Sequence, residues 1–439
     1  MRKSIIASVI ATAFLSFNAG ASDLLQIYKE ALVNDAQFSA ARASKLAGQE
    51  RSVQGRSALL PRVGLTGSVS KSRSEFDPDV GATVKSTTNG NTMTLSLSQP
   101  LFNLGAWESY EQSKLSVIAS DIQFAGAQQD LMLRVSQAYF DVLAAENTLK
   151  TLQAQKVAVA EQLASAKRNF EVGTQTITDT HEAQSQYDLI TAQELAGQGD
   201  LDVKRAALRQ IIGKDAGDLA KLKDGVQLTA PVPAQITDWV DSAEKQNFAV
   251  TSSQVGLEVA QREIKKSRSG HLPTIDLSAS TGRSTASLGG STPSGVSKPS
   301  SIGVSVNIPI FAGFGTDSKV RESIALEDKA RNDLETARRN AAQAARQSYI
   351  GVVSGLAQIK AFEAAEISSQ SALDSTKLGY QVGVRINIDV LNAQQKLSNT
   401  RQSLAKARYD SIMSGLRLKA AAGTLKEADL AEVNALLTQ

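Results

Sequence analysis

His181 and His271 are the only histidines of the chain, and it has no cysteine. Thiolate nucleophiles, thiolate metal sites and disulfides are therefore excluded. The two imidazoles lie far apart in sequence, without the helical spacing that would bring both to one metal ion. No paired-carboxylate, nucleophile–base or phosphate-loop pattern accompanies them, so the sequence argues against an enzyme and asks for no cofactor. The charged residues that stand out are Asp179, Arg385 and Asp389. Asp179 follows the pair Val172-Gly173, and Asp389 follows Val382-Gly383 at the same spacing, with Arg385 between. The glycines suit tight turns. An aspartate at the start of the next helix can accept backbone N–H groups as a cap. The chemistry on offer is electrostatic: a permanently charged guanidinium can lock against a carboxylate and release it when helices twist.

These turns belong to a long internal repeat. Gly173 and Gly383, Asp179 and Asp389, Tyr139 and Tyr349, and Gly213 and Gly423 are each 210 residues apart. Leu60-Pro61 matches Leu272-Pro273, and Pro100-Leu101-Phe102 matches Pro309-Ile310-Phe311, with offsets of 212 and 209. The offset is constant along helical stretches and drifts near the prolines, where loops change length cheaply. Such a period is too long for a solenoid unit of roughly 20–50 residues. The expected units are two structural repeats, 22–230 and 231–439, within one mature chain of 22–439.

Most of each repeat reads as helix. Residues 106–170 and 316–380 carry no proline, and apolar or small residues recur at three and four, as in Leu326, Ala330, Leu334, Ala337 and Ala341. At ~1.5 Å rise per residue each helix would be about 100 Å long. No globular core holds such a helix; it needs coiled-coil neighbours. Return helices are expected over 179–212 and 389–422, with Gly213 and Gly423 as stops. Shorter helices are expected over 24–56 and 239–269, and the stretches 214–238 and 424–437 would lie where the stacked short helices meet.

Four segments alternate with period two: 61–74, 92–102, 273–284 and 300–311. Val63, Leu65 and Val69 alternate with Thr66, Ser68 and Ser70; Ile302, Val304 and Val306 alternate with Gly303, Ser305 and Asn307. One apolar face and one small polar face suit a strand between lipid and water. Loops are expected over 74–91 and 284–300. Phe102, Trp107, Phe311 and Phe314 beside the strand ends suit an interfacial aromatic girdle. Four strands cannot close a barrel, because the smallest bacterial barrels have about 8. The chain must associate, and cyclic symmetry is the simple route to closure, with dimer and trimer both open on strand arithmetic.

The N-terminus agrees with export. Arg2 and Lys3, an apolar run from Ile5 to Phe17 and Ala19-Gly20-Ala21 form the pattern of a signal peptide over residues 1–21. No apolar run is long enough for a membrane helix. The formal charge is +3 and falls to +1 when Arg2 and Lys3 leave, which gives no case for nucleic acid.

The runs Gly270-His271-Leu272-Pro273-Thr274-Ile275-Asp276-Leu277, Gly379-Tyr380-Gln381-Val382-Gly383-Val384-Arg385 and Ala422-Gly423-Thr424-Leu425 resemble the TolC-type outer membrane efflux proteins. These are the exit ducts of multidrug efflux pumps and type I secretion systems. The resemblance spans the mature chain and is nearer the branch without a lipid-anchor cysteine. It implies an α+β membrane protein: a homotrimer with a 12-stranded barrel among outer-membrane lipid, four strands per chain, continued by a helical coiled-coil tunnel in the periplasm. It implies a periplasmic adaptor (membrane fusion) protein docking at the turns Val172, Gly173, Val382 and Gly383. Through that adaptor it implies an inner-membrane pump of the RND, ABC or MFS type. It implies a tip held shut by Arg385 against Thr178 and Asp179. Above the tip it implies a constriction ringed by Asp389, and by Asn392 where the family carries a second aspartate. The rival reading is a non-conducting trimeric coiled-coil adhesin or surface stalk. It explains export, helices and a barrel, but not two strand pairs in matched halves.

Overall fold

The computed structural model describes residues 21–223, 225–288 and 295–438; apart from Ala21, the expected signal peptide lies outside the described residues. The first series of elements is α1 (Leu24–Asn34), α2 (Ala36–Ser57), β1 (Arg62–Phe76), β2 (Val84–Phe102), α3 (Leu104–Glu171) and α4 (Ile177–Ile212). The second is α5 (Ile236–Gln246), α6 (Phe248–Arg268), β3 (Thr274–Leu288), β4 (Gly295–Ser297), β5 (Ser300–Asn307), α7 (Gly315–Gln381), α8 (Asn387–Ala421) and α9 (Glu427–Asn434).

Each expected short helix is two helices joined at a single capping residue. Asp35 ends α1 by donating its N–H to Ala31 O, 2.9 Å away, and starts α2 by accepting from Phe38 N at 2.6 Å. Asn247 does the same between α5 and α6, accepting from Ala249 N at 2.9 Å, while its amide donates to Ala421 O at the end of α8. These side chains compete for backbone groups and so interrupt a helix that apolar spacing alone would continue. The interior concentrates around these joints. Leu24, Ile27, Tyr28, Leu131, Val135, Tyr139, Phe140, Leu208 and Ile212 bury together, closed by α9 through Leu430 and by Leu437. Tyr139, fully buried, donates to Ala220 O at 2.7 Å and so ties α3 to the connecting segment. The stretch expected only as a connection after Gly423 thus contains a helix that packs on the core.

The sheet runs β1–β2–β3, all antiparallel, and β4 and β5 both lie along the far side of β3. It therefore has four staves. β1 ends at Phe76, close to its expected end, but β2 begins at Val84, well inside the segment expected as a loop, leaving only 77–83 between them. That segment is polar on both faces, so it shows no alternation, yet Ser, Thr and Asn pair readily across strands. β5 stops at Asn307, short of the expected end, since Pro309 has no N–H to give a ladder. Residues 289–294 of the expected second loop lie outside the described residues.

The register fixes the faces. Val63, Leu97, Ala279 and Ile302 stand side by side, as do Leu65 and Leu95 one step outward and Leu277 and Val304 one step inward. Every residue of β1 and of β5 is exposed. A sheet with an apolar face, no core behind it and two open edges is complete only with lipid on that face and further strands on its edges.

Candidate functional site

The far ends of the long helices carry the two repeated turns. In the first, α3 closes on Val172 and Gly173; Gly173 has φ +77°, and Thr174 N donates back to Asn169 O at 2.8 Å. In the second, Gly383 has φ +78°, and Val384 N donates to Gly379 O at 2.9 Å. This left-handed conformation is open to glycine at no steric cost, which is why both turns spell Val-Gly. Around them Val172, Ile177, Leu378, Val382, Val384 and Ile386 are exposed. Six uncovered aliphatic side chains on two adjacent tips form a surface fit for a partner.

Thr176, not Asp179, is the cap of α4. Its hydroxyl accepts from Asp179 N, and the Asp179 carboxylate accepts from Thr176 N at 3.0 Å, a reciprocal capping box. Asp389 is likewise the third residue of α8 rather than its cap; Ile386 stands at the cap position and offers no side-chain acceptor. The expected contact of Arg385 with Thr178 and Asp179 is not made within one chain. Arg385 meets Asp389 instead, at 3.6 Å, because it stands just before the Ile386 cap and Asp389 lies in the first turn of α8. With Arg385 61% exposed, this pair contributes little by itself. Thr178 is exposed, and Asp179 has no cationic partner within 4.0 Å among the described residues. Gly379 makes room for the arginine, since a Cβ there would come 2.8 Å from Arg385 Cγ.

Sequence reasoning missed what does join the two tips. The Tyr380 hydroxyl accepts from Gln175 Nε2 at 2.9 Å and from Asn169 Nδ2 at 3.3 Å. Higher up, Gln162 bonds Asn387, Gln395 accepts from Gln155 at 3.1 Å and from Gln186 at 2.7 Å, and Asn147 donates to Tyr409 at 3.1 Å. Asn147, Gln155, Gln162 and Asn169 recur every seven or eight residues, so they form one seam along α3. The α3–α4 and α7–α8 hairpins are thus stitched near the tip by neutral hydrogen bonds, each of modest net strength. The buried Nδ2 of Asn387 and Oγ1 of Thr180 find no partner.

Asp389 and Asn392 share a face of α8 that the rest of the chain does not cover. Leu391 and Gln395 face α3 and α4, and Val390 and Leu397 pack with Leu373 of α7. At 100° per residue, positions 389 and 392 fall on the remaining side; Asn392 is exposed and the Asp389 side chain is 35% exposed. His181 is exposed, and His271 pairs with Asp317 at 3.6 Å. No cluster able to hold a metal ion occurs among the described residues.

Two segments of the chain, 27–214 and 239–424, match the model of the family described as outer membrane efflux protein. Together they cover most of the sequence. The chain belongs to the outer membrane efflux protein family. TolC of Vibrio cholerae is 34% identical, over 96% of this chain and 95% of its own. The alkaline protease secretion protein AprF of Pseudomonas aeruginosa is also 34% identical, over 94% of this chain and 87% of its own. Among solved structures the Campylobacter jejuni CmeC outer membrane channel superposes with a TM-score of 0.79 at 18% identity, over 95% of this chain and 90% of that one. These matches fix the fold as barrel sheet plus helical tunnel. The protein is an outer-membrane exit duct, its helices in the periplasm, in a family of transport channels rather than enzymes. That decides against the non-conducting stalk.

Proposed function

We propose that three copies close one 12-stranded barrel and one tunnel, and that each chain is a single outer-membrane-factor unit of two repeats behind a cleaved signal peptide. The observation that carries this reading is the four-stave sheet with open edges at β1 and β5 and an apolar outer face. Three sheets joined β5 to β1 have no edge left. In this assembly Arg385 of one chain reaches Thr178 and Asp179 of the next, exchanging its exposed bond to Asp389 for a contact across the seam. Asp389 and Asn392 line the narrowest part of the lumen. An adaptor protein binds the turns at Val172, Gly173, Val382 and Gly383, whose aliphatic surface is uncovered in the single chain, and couples the duct to an inner-membrane pump of the RND, ABC or MFS type. It opens the tip by binding the splayed arrangement better than the closed one.

Native mass measurement of the detergent-solubilised protein, with reversal potentials in planar bilayers, tests this reading. The expected result is three chains and a cation preference that falls in Asp389→Asn, since three carboxylates about an axis attract cations. A stable dimer or monomer, or an unchanged reversal potential, would contradict it.

A further inference from the structure

Beyond the apolar band, the lipid-facing side of the sheet changes character abruptly. On β1 the outward positions run Val63, Leu65, Gly67, Val69 and then Lys71 and Arg73. On β3 they run Ile275, Leu277, Ala279, Thr281 and then Arg283, which stands beside Met93. Lys71 is six residues beyond Leu65, and Arg283 is six beyond Leu277. At ~3.3 Å per residue and a tilt of roughly 40°, six residues climb about 15 Å. That is half the ~30 Å hydrocarbon thickness, so both cations stand where acyl chains meet head groups. Arg73 lies one step higher on the same face.

The opposite, luminal face at this height carries no charge: Ser70, Ser72, Ser74, Thr88, Thr92 and Ser284 occupy it. Water fills the lumen, so cations placed for hydration alone would appear on both faces. Lys71, Arg73 and Arg283 are exposed, and none has a carboxylate within 4.0 Å among the described residues. The nearby Lys85 is different, since it is neutralised by Glu75 at 2.8 Å. A one-sided set of unpaired cations above an apolar band calls for anions that are themselves anchored in the membrane.

We propose that Lys71, Arg73 and Arg283 form a binding belt for the phosphate groups of a phosphorylated glycolipid in the outer leaflet. Guanidinium and ammonium groups pair with phosphate oxygens, and Met93 beside Arg283, with Val69 and Ala279 below, meets the acyl chains. The proposal rests on the membrane placement of the sheet and is independent of the gate at the tip.

The test uses the full-length protein in mild detergent, with bisphosphorylated lipid A as probe and bound lipid read by native mass spectrometry across a titration. The variant Lys71→Gln/Arg73→Gln/Arg283→Gln should bind on the order of a hundredfold more weakly at low salt, at several-fold per charge near a membrane surface. The control Arg51→Gln/Lys319→Gln/Arg321→Gln removes the same charge from helices and should bind like the parent. Removing both phosphates from the probe should weaken binding to the parent as much as the triple variant does. Binding unchanged in the triple variant, or weakened equally in the control, would overturn the proposal. So would displacement of the lipid by excess inorganic phosphate, which would give the belt to a free ion.

Discussion

Val304 and Ser305 are neighbours in β5 that the pleat sends to opposite faces. Val304 stands beside Leu277 near the middle of the apolar band, and Ser305 stands beside Asp276 on the polar face. Both are exposed in the single chain, so contacts within the chain predict little difference between them. Membrane placement predicts a large one. Arginine at 304 enters the hydrocarbon near its midplane, which costs roughly 2–4 kcal/mol in a barrel. Loss of the cross-strand contact with Leu277 adds up to ~1 kcal/mol. Arginine at 305 points into a wet lumen beside the Asp276 carboxylate and stays within about 0.5 kcal/mol of the parent. The two variants should be compared for yield in the outer-membrane fraction and for urea-induced unfolding in lipid vesicles. Val304→Arg should lose both yield and stability while Ser305→Arg keeps them. Equal behaviour of the two would refute the assignment of this face to lipid.

Other consequences follow from the helical part. Burial pushes the Asp35 carboxyl up, but the Arg134 guanidinium at 3.0 and 3.1 Å and the Phe38 N–H outweigh it and hold it below the ordinary carboxylate value. A depressed folded pKa means that this contribution to stability is complete above the unfolded value near 3.8 and is lost as pH falls through the folded one. Asp35→Ala should cost about 3 kcal/mol at neutral pH, because it strips a helix cap and leaves Arg134 only Asp130, and should flatten the acid limb of a thermal-melt series; an unchanged acid limb would count against it. Tyr380→Phe keeps the ring but removes the acceptor shared by Gln175 and Asn169, at about 1 kcal/mol per bond. It should speed protease cleavage at Lys377 and Arg385 on the tip severalfold without moving the melting temperature of the core, and equal cleavage rates would show that these bonds do not hold the tip.

The helices were legible because their signals are long and redundant. Absence of proline and a three-and-four repeat place α3 and α7 to within two residues of their ends, and Gly213 and Gly423 mark true stops with φ of +75° and +73°. The breaks at Asp35 and Asn247 were harder to see, since one capping side chain outweighs a periodic stripe without altering it. The outer part of β2, Val84 to Asn91, was invisible for a different reason: alternation needs two unlike faces, and there both are largely polar. At the tip, residue type and position marked Arg385, Asp179 and Asp389, and the resemblance alone paired the arginine with Asp179. The geometry within one chain favours the near one, Asp389. Tyr380 and the amide seam went unread because neutral hydrogen bonds leave no charge pattern. The seven-to-eight residue spacing of Asn147, Gln155, Gln162 and Asn169 was the available clue.

Single-channel recording of the purified protein in planar bilayers tests the central claim most directly, that this chain builds a duct closed at its helical tip. The parent should conduct in small, cation-preferring steps. Arg385→Ser should conduct in larger ones, because a charge-assisted contact contributes ~1.5–3 kcal/mol and recurs in each chain. Absence of any conductance from an intact oligomer would contradict the duct, and Arg385→Ser steps equal to those of the parent would put the gate elsewhere.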